Sequence, residues 1–486
     1  MSTISSTSSA LPEVVWGNII SFLPAKQQLL NRRVCKIWQR ISEVDSCKVA
    51  FMQSISSLKV SDFALFLNNR PNLIQDLVNR TFNEILDPGF KIKRKFLTEI
   101  VENYFELDSS TVIPCLQSFT ERQREIIETL NFTHSYPYWS DLTDEQVEEV
   151  IKLCPNLKSL TLFNINITGS CLAQVAENNR LEILSLNHCE ILNEEFLAEF
   201  FSKATHLKEV RLEETNITGR CLTQIAENNR LETLNLYNCM YLNERFLTGF
   251  FLKVTHLKEI YLGRTDITGK SLTHIADKLE ILGLNSCGNL DETSLSAVFS
   301  MAIQLKKVSL LATSITGRFL VHIPVKNHLE TLELDFCKNL EEDALAEFFL
   351  RVTHLKVLKL SSVNITGRCF AQISERTQLK NLCLNICKKL EEDALAELFS
   401  RVAHIEEIWL SGTNITGRCF APISERTQLK NLDLSQCKNL EKDALAELFS
   451  RAAHLKVLGL SITNIIGRCF VQISERSQLK NLKLHL

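Results

Sequence analysis

The sequence predicts an α/β solenoid, in which short parallel strands stack into one sheet and helices return the chain on its outer side, preceded by a small all-helical module. Three observations carry this. The pattern L-x-x-L-x-L starts at Leu157, Leu181, Leu207, Leu231, Leu257, Leu279, Leu305, Leu329, Leu355, Leu379, Ile405, Leu429, Leu455 and Leu479, in steps alternating 24 and 26 residues with one of 22. The phrase Ile-Thr-Gly recurs at Ile167-Thr168-Gly169, Ile217-Thr218-Gly219, Ile267-Thr268-Gly269, Ile315-Thr316-Gly317, Ile365-Thr366-Gly367 and Ile415-Thr416-Gly417, and in altered form at Ile465-Ile466-Gly467. Helical segments such as "EEDALAELFSRVAHI" and "EKDALAELFSRAAHL" are nearly copied from one 50-residue unit to the next.

Fourteen copies of one spaced-leucine pattern at this period are the signature of leucine-rich repeats. Along each strand alternate leucines face inward, so stacked copies share one core. In "DALAELF" the side chains of Leu445, Leu448 and Phe449 recur at helical spacing and face the sheet. "IETLNF", Ile127 to Phe132, reads as a degenerate first copy, so the solenoid spans residues 127–486 with about 15 repeats. In the Ile-Thr-Gly phrase, Ile closes the strand end, Thr is a good helix N-cap and Gly permits a tight turn into a helix such as "GRCFAPIS".

Sixteen cysteines would be compatible with disulfides, but eleven fall into two repeat columns, one of them Cys189, Cys239, Cys287, Cys337, Cys387 and Cys437. One residue type at one repeat position marks a packing slot, so reduced, buried thiols are expected. The same strand position in most 24-residue copies holds Thr215, Thr265, Thr313, Thr413 or Thr463, a small donor suited to a buried turn, while Ile165 and Val363 cannot donate there.

Between the strand leucines the residues that face away from the core differ from copy to copy. Arg211, Glu213, Tyr237, Tyr261, Arg264, Phe336 and Trp409 are the candidate substrate-binding residues of this concave face, because aromatics and arginine are the usual interface anchors. Mixed charge with aromatics suits a protein ligand better than a nucleic acid. A net charge of -3 likewise gives no electrostatic case for nucleic acid or an anionic membrane.

Ahead of the repeats, residues 1–10 are expected to be disordered and residues 11–51 to form a helical module. Leu11-Pro12 opens a helix with Val15, Ile19, Phe22 and Leu23 on one face, Pro24 breaks it, and a second helix carries Val34, Cys35 and Trp38. This segment resembles the F-box: the Leu-Pro start, the Phe-Leu end of the first helix and the Val-Cys-Lys-x-Trp run. Glu13 falls one place earlier than the usual acidic residue, and the stretch from Leu29 to Val34 is about one residue short. The cysteine column and the 24/26 alternation resemble the cysteine-containing leucine-rich repeats of F-box proteins. Residues 52–126 read as a helical linker.

That resemblance implies a substrate receptor of an SCF-type ubiquitin ligase. Leu11, Pro12, Ile19, Val34, Cys35 and Trp38 would bind a Skp-family adaptor and through it the cullin, and the solenoid would hold a protein substrate. Such a chain is no enzyme: no catalytic residues, metal or cofactor are expected, and the place is the cytoplasm. F-box repeat proteins also occur among effectors that intracellular bacteria deliver into host cells. The rival reading is a binding scaffold or inhibitor with no ubiquitin role. His206, His256, His354, His404 and His454 recur before the strand motif, but every second strand lies roughly 10 Å from the last, too far for a shared metal, so packing histidines are expected.

Overall fold

The structure, a computed structural model, describes residues 113, 116–117, 121–125, 127–132, 142–173, 180–424, 427–465 and 481–483. The chain divides into two compact units, Met1–Asn166 and Ile167–Leu486. In the first, β1 (Thr129–Phe132) pairs in parallel with β2 (Ser159–Leu162), Leu130 beside Leu160 and Phe132 beside Leu162. The "IETLNF" copy is therefore in phase with the regular repeats. Between them α1 (Asp144–Leu153) starts with a reciprocal cap: Gln146 N–H donates to the Thr143 hydroxyl, and Thr143 N–H to the Gln146 side chain.

The second unit carries thirteen described strands. They are β3 (Ile183–Ser185), β4 (Glu209–Arg211), β5 (Thr233–Asn235), β6 (Glu259–Tyr261), β7 (Ile281–Gly283), β8 (Lys307–Ser309), β9 (Thr331–Glu333), β10 (Val357–Lys359), β11 (Asn381–Cys383), β12 (Glu407–Trp409), β13 (Asn431–Asp433), β14 (Val457–Gly459) and β15 (Asn481–Lys483). Each pairs in parallel with the next, in sequence order. The inward residues of the motif, such as Leu207, Val210 and Leu212 in one copy, are fully buried.

The 26-residue copies return through true α-helices: α2 (Glu194–Lys203), α3 (Glu244–Phe251), α4 (Glu292–Met301), α5 (Glu342–Phe349), α6 (Glu392–Arg401) and α7 (Lys442–Arg451). The shorter copies carry no long helix: the first has a four-residue α-helical turn, Ser170–Ala173, and the other described ones a 3-10 turn. Where the sequence predicts a helix "GRCFAPIS", the chain makes a single 3-10 turn, Arg418–Phe420, and its counterparts, such as Arg368–Gln372, are equally short. Two fewer residues leave no room for a second α-helical turn. The phenyl rings still interlock: Phe349 of α5 meets Phe370 at 5.9 Å and Phe399 of α6 meets Phe420 at 5.5 Å between ring centres.

The Ile-Thr-Gly phrase is gripped from two sides. Thr218 donates both its N–H and its hydroxyl to Glu194, the first residue of α2, at 2.7 and 2.6 Å. Its carbonyl accepts the N–H of Asn243, at the start of α3 in the following repeat, at 2.9 Å. Thr366 repeats this with Glu342 (3.0 and 2.7 Å) and Glu391 N–H (2.8 Å). Threonine thus acts less as an N-cap for its own turn than as a tie between neighbouring repeats. Glycine follows because the chain must enter the left-handed region, at φ +93 for Gly367, where a β-carbon would also crowd Phe370 at 3.3 Å.

Burial alone would raise the carboxyls of Glu194, Glu244 and Glu342, but the hydrogen bonds from Thr218 and Cys221, from Ser271 and Thr268, and from Thr366 and Gly367 outweigh it and hold all three below their ordinary value.

The cysteine column is reduced, as expected, and does more than fill space. All twelve described cysteines are free. Cys239, Cys287, Cys337, Cys387 and Cys437 donate their thiols to the carbonyls of Leu212, Leu262, Leu310, Leu360 and Leu410 at 3.0–3.2 Å. Threonine shares the acceptor: Thr215, Thr265, Thr313 and Thr413 reach the same carbonyls, save that of Leu360, at 2.6–2.8 Å. At Leu360 the threonine is replaced by Val363, and Cys387 is the side chain left to donate. Burial pushes the Cys387 thiol up to about 11, which keeps its proton in place.

Cys387→Ala should therefore cost more than Cys337→Ala. The first leaves the Leu360 carbonyl without a side-chain donor, about 2 kcal/mol or more, whereas Thr313 still serves Leu310 and limits the second to about 1 kcal/mol. Denaturant unfolding of both variants measures the difference; equal losses would show that the thiol only fills volume. The glutamates set a second expectation. Their folded values lie below the ordinary 4.5, so their contribution is complete above that pH and is lost as pH falls through the lowered values. Thermal midpoints followed downward from pH 5 should drop, and Glu342→Gln should make the drop shallower.

Candidate protein-binding face

The register of the sheet sets the candidate residues in rows. Arg211 pairs with Asn235 and Asn235 with Tyr261 across β4, β5 and β6. Further along the same row Lys359, Cys383, Trp409 and Asp433 follow one another on β10 to β13. Glu213 and Tyr237 stand two residues beyond the row, after β4 and β5. The structure thus groups Arg211, Glu213, Tyr237, Tyr261 and Arg264 on β4 to β6 and the loops that follow them. Trp409 stands apart on β12, and Phe336 follows β9.

Within the first group the tyrosines lie over glycines of the next repeat. A β-carbon on Gly263 would meet the Tyr237 ring at 2.8 Å, and one on Gly283 the Tyr261 ring at 2.9 Å. The Arg264 guanidinium sits 5.9 Å from the Tyr237 ring centre. Asn235 donates to Glu213 at 2.7 Å, Arg211 pairs with Glu209, and the Tyr261 hydroxyl donates to Glu259 at 3.3 Å. Burial, then the charge of Glu259, push the Tyr261 phenol above its ordinary 10.0.

Arg264 and Phe336 do not belong to the flat strand face on which the sequence puts them. Both occupy the turn just after the strand with left-handed backbone, φ 56 and 63, as do Ile386 and Ile462 at 63 and 57. Asparagine or glycine is usual there, and a β-branched residue is strained. The turn is nonetheless fixed, since Phe336 N–H donates to Ser361 O and Ile386 N–H to Ser411 O, both at 2.7 Å. Phe336 and Ile386 are about half exposed, at 46% and 50%, and form an apolar edge on this turn column.

Several varied residues prove to be internal frame. Glu333 is held by Lys359 at 2.9 Å, Lys307 at 3.6 Å and Ser309 at 2.7 Å, and these overcome its burial and keep its carboxyl low. Asp335 accepts Ser361 N–H at 2.6 Å, as Asn285 and Asn385 accept the N–H groups of Leu311 and Ser411 at 3.0 and 2.8 Å. The histidine column is exposed, not packed: His206, His256, His354, His404 and His454 all face solvent. His328, outside that set, stacks on His354 with ring centres 6.3 Å apart. Among the described residues no group of three or more His, Cys, Asp or Glu could hold a metal, and no helix is long and apolar enough to cross a membrane.

Leu11, Pro12, Ile19, Val34, Cys35 and Trp38 lie outside the described residues. Residues 8–49 match the family model of the F-box domain. No curated protein matches the chain in sequence. Among solved structures the chain is similar to one in the Rad7 and Elc1 complex in yeast, with 16% identity over 89% of this chain and 97% of that one and a TM-score of 0.47. An internalin, inlF, of Listeria monocytogenes shares 17% identity over 78% of this chain and 94% of its own, with a TM-score of 0.47. The TLR13–ssRNA13 complex gives 17% identity, 74% and 60% coverage and a TM-score of 0.46.

An alkaline absorbance titration tests the Tyr261 environment. The difference between the parent chain and Tyr261→Phe should show a phenol ionising above 10.0, and Glu259→Gln should bring it down. Ionisation at the ordinary value would mean that the ring stands free in water.

Proposed function

We propose that this chain, which joins an F-box domain at residues 8–49 to a leucine-rich-repeat solenoid, is the substrate-recognition subunit of an SCF-type ubiquitin ligase. The single observation that carries the reading is that union in one chain: a segment of the adaptor-binding type ahead of a long sheet with an open, side-chain-diverse face. Leu11, Pro12, Ile19, Val34, Cys35 and Trp38 dock on a Skp-family adaptor, and the adaptor on a cullin. Arg211, Glu213, Tyr237, Tyr261, Arg264, Phe336 and Trp409 contact a protein substrate in the cytosol or nucleus.

The chain performs no covalent step in this reading. Its contribution to ubiquitin transfer is tethering, which replaces a diffusional encounter by a high local concentration of substrate beside the charged conjugating enzyme.

Adaptor capture and substrate capture should be separable. Replacing Leu11 and Pro12 by Ala should abolish recovery of a Skp-family adaptor from a eukaryotic lysate and leave substrate binding intact. Tyr261→Ala and Trp409→Ala should each spare the adaptor and weaken substrate by about 2 kcal/mol, roughly thirtyfold. Arg368→Ala, whose guanidinium pairs with Glu391 at the exposed surface, is the control that changes neither. Adaptor recovery unaffected by the Leu11 and Pro12 change, with the solenoid folded, would leave a binding scaffold without a ubiquitin role.

A further inference from the structure

The β4 to β6 part of the open face has a chemistry of its own. It presents two tyrosine rings, each lying over a glycine of the adjacent repeat, so the rings cover ground that side chains hold elsewhere in the sheet. Around them stand Glu209, Glu213 and Glu259 against two guanidinium groups, those of Arg211 and Arg264, while Glu214 beside them faces His188 at 3.3 Å. One guanidinium is taken by Glu209 and the other lies over Tyr237. Glu213 and Glu259 are met by neutral donors, Asn235 and the Tyr261 hydroxyl, and neither makes a close ion pair among the described residues, Lys258 acting on Glu259 only at longer range. By contrast, the acid of the central sheet, Glu333, is flanked by Lys307 and Lys359.

We infer that the β4 to β6 face receives an arginine-bearing, extended segment of the protein partner, with one guanidinium stacked on the Tyr261 ring and paired with Glu259 and a second paired with Glu213. Arg264 over Tyr237 demonstrates the contact within the chain: the ring face accepts a guanidinium at 5.9 Å. Tyr261 offers a second ring with a carboxylate at its hydroxyl. Arginine fits better than lysine because its planar group can stack on a ring while donating to a carboxylate at its edge. Alternate residues of an extended segment lie about 7 Å apart, so two arginines on one side of it can address neighbouring strands. The inference rests on the reading of the solenoid as a substrate receptor and names the chemistry of what it receives.

The test uses the full chain and two labelled synthetic peptides of equal length, one alternating arginine with glycine and one alternating glutamate with glycine, followed by fluorescence anisotropy. The arginine peptide should bind and the glutamate peptide should not, and binding should weaken as salt is raised. Tyr261→Ala should lower affinity about tenfold or more, and the Glu213→Gln, Glu259→Gln pair should do the same. Glutamine retains the shape and the acceptor oxygen, so the double variant should keep its thermal midpoint even where Tyr261→Ala loses stability. Arg368→Ala should bind as the parent does. Failure of the arginine peptide to bind, or unchanged affinity in the glutamine pair, overturns the inference. Adaptor capture is scored on the same preparations: capture without arginine-peptide binding leaves the receptor reading standing and removes this one, and the converse result does the reverse.

Discussion

A carboxylate at the start of a long helix and a threonine in the next repeat, a pairing made five times from Glu194 to Glu392, hold this array in register. Glu194, Glu244 and Glu342 each accept the N–H and hydroxyl of Thr218, Thr268 and Thr366. Thr268 in turn gives its carbonyl to Asp291 N–H at the start of the helix beyond. Hydrophobic burial drives the repeats together but is indifferent to small slips along the stack. A charge-assisted hydrogen bond is not, because it weakens steeply once its geometry is lost. The clasp therefore fixes where each helix begins relative to its neighbour, and with it the spacing of the strands that carry the open face.

The shared carbonyls add a second constraint just after every second strand. Leu212 and its counterparts turn out of the sheet with an acceptor that no strand partner takes, and threonine and cysteine supply the donors from two repeats at once. A cysteine that formed a disulfide or ionised could not donate, so the frame needs thiols that stay protonated. Burial ensures this at Cys387.

Most of the frame was legible in the sequence. Strand positions, inward leucines, the degenerate copy at Ile127 and the free thiols follow from periodicity, because repeated burial imposes repeated residue types. What escaped was set by contacts across repeats. The clasp joins Glu194 to Thr218, and no pattern within one copy reveals it. The left-handed turn at Arg264, Phe336 and Ile386 was hidden because residues unsuited to that backbone occupy it. Glu333 and Asp335 differ from their counterparts in other copies as surface residues do, yet neighbouring repeats occupy both. Variation between copies marks where a side chain faces outward, and cannot tell a side chain that meets a partner from one that meets the next strand.

The clasp also sets the unit in which such an array can grow. Its carboxylate lies in a 26-residue copy and its threonine in the 24-residue copy that follows, so a single repeat carries only half of the bond. Inserting or deleting one copy would set helix beside helix-bearing copy and strand both halves, whereas a 50-residue pair can be added with every bond remade. The last pair in the sequence shows the halves departing together: Lys442 stands in the glutamate position and Ile466 in the threonine position. A donor whose acceptor is gone has nothing left to hold, so the bond makes the two positions a functional unit, and an array built on it keeps every bond only when it lengthens by two copies at a time.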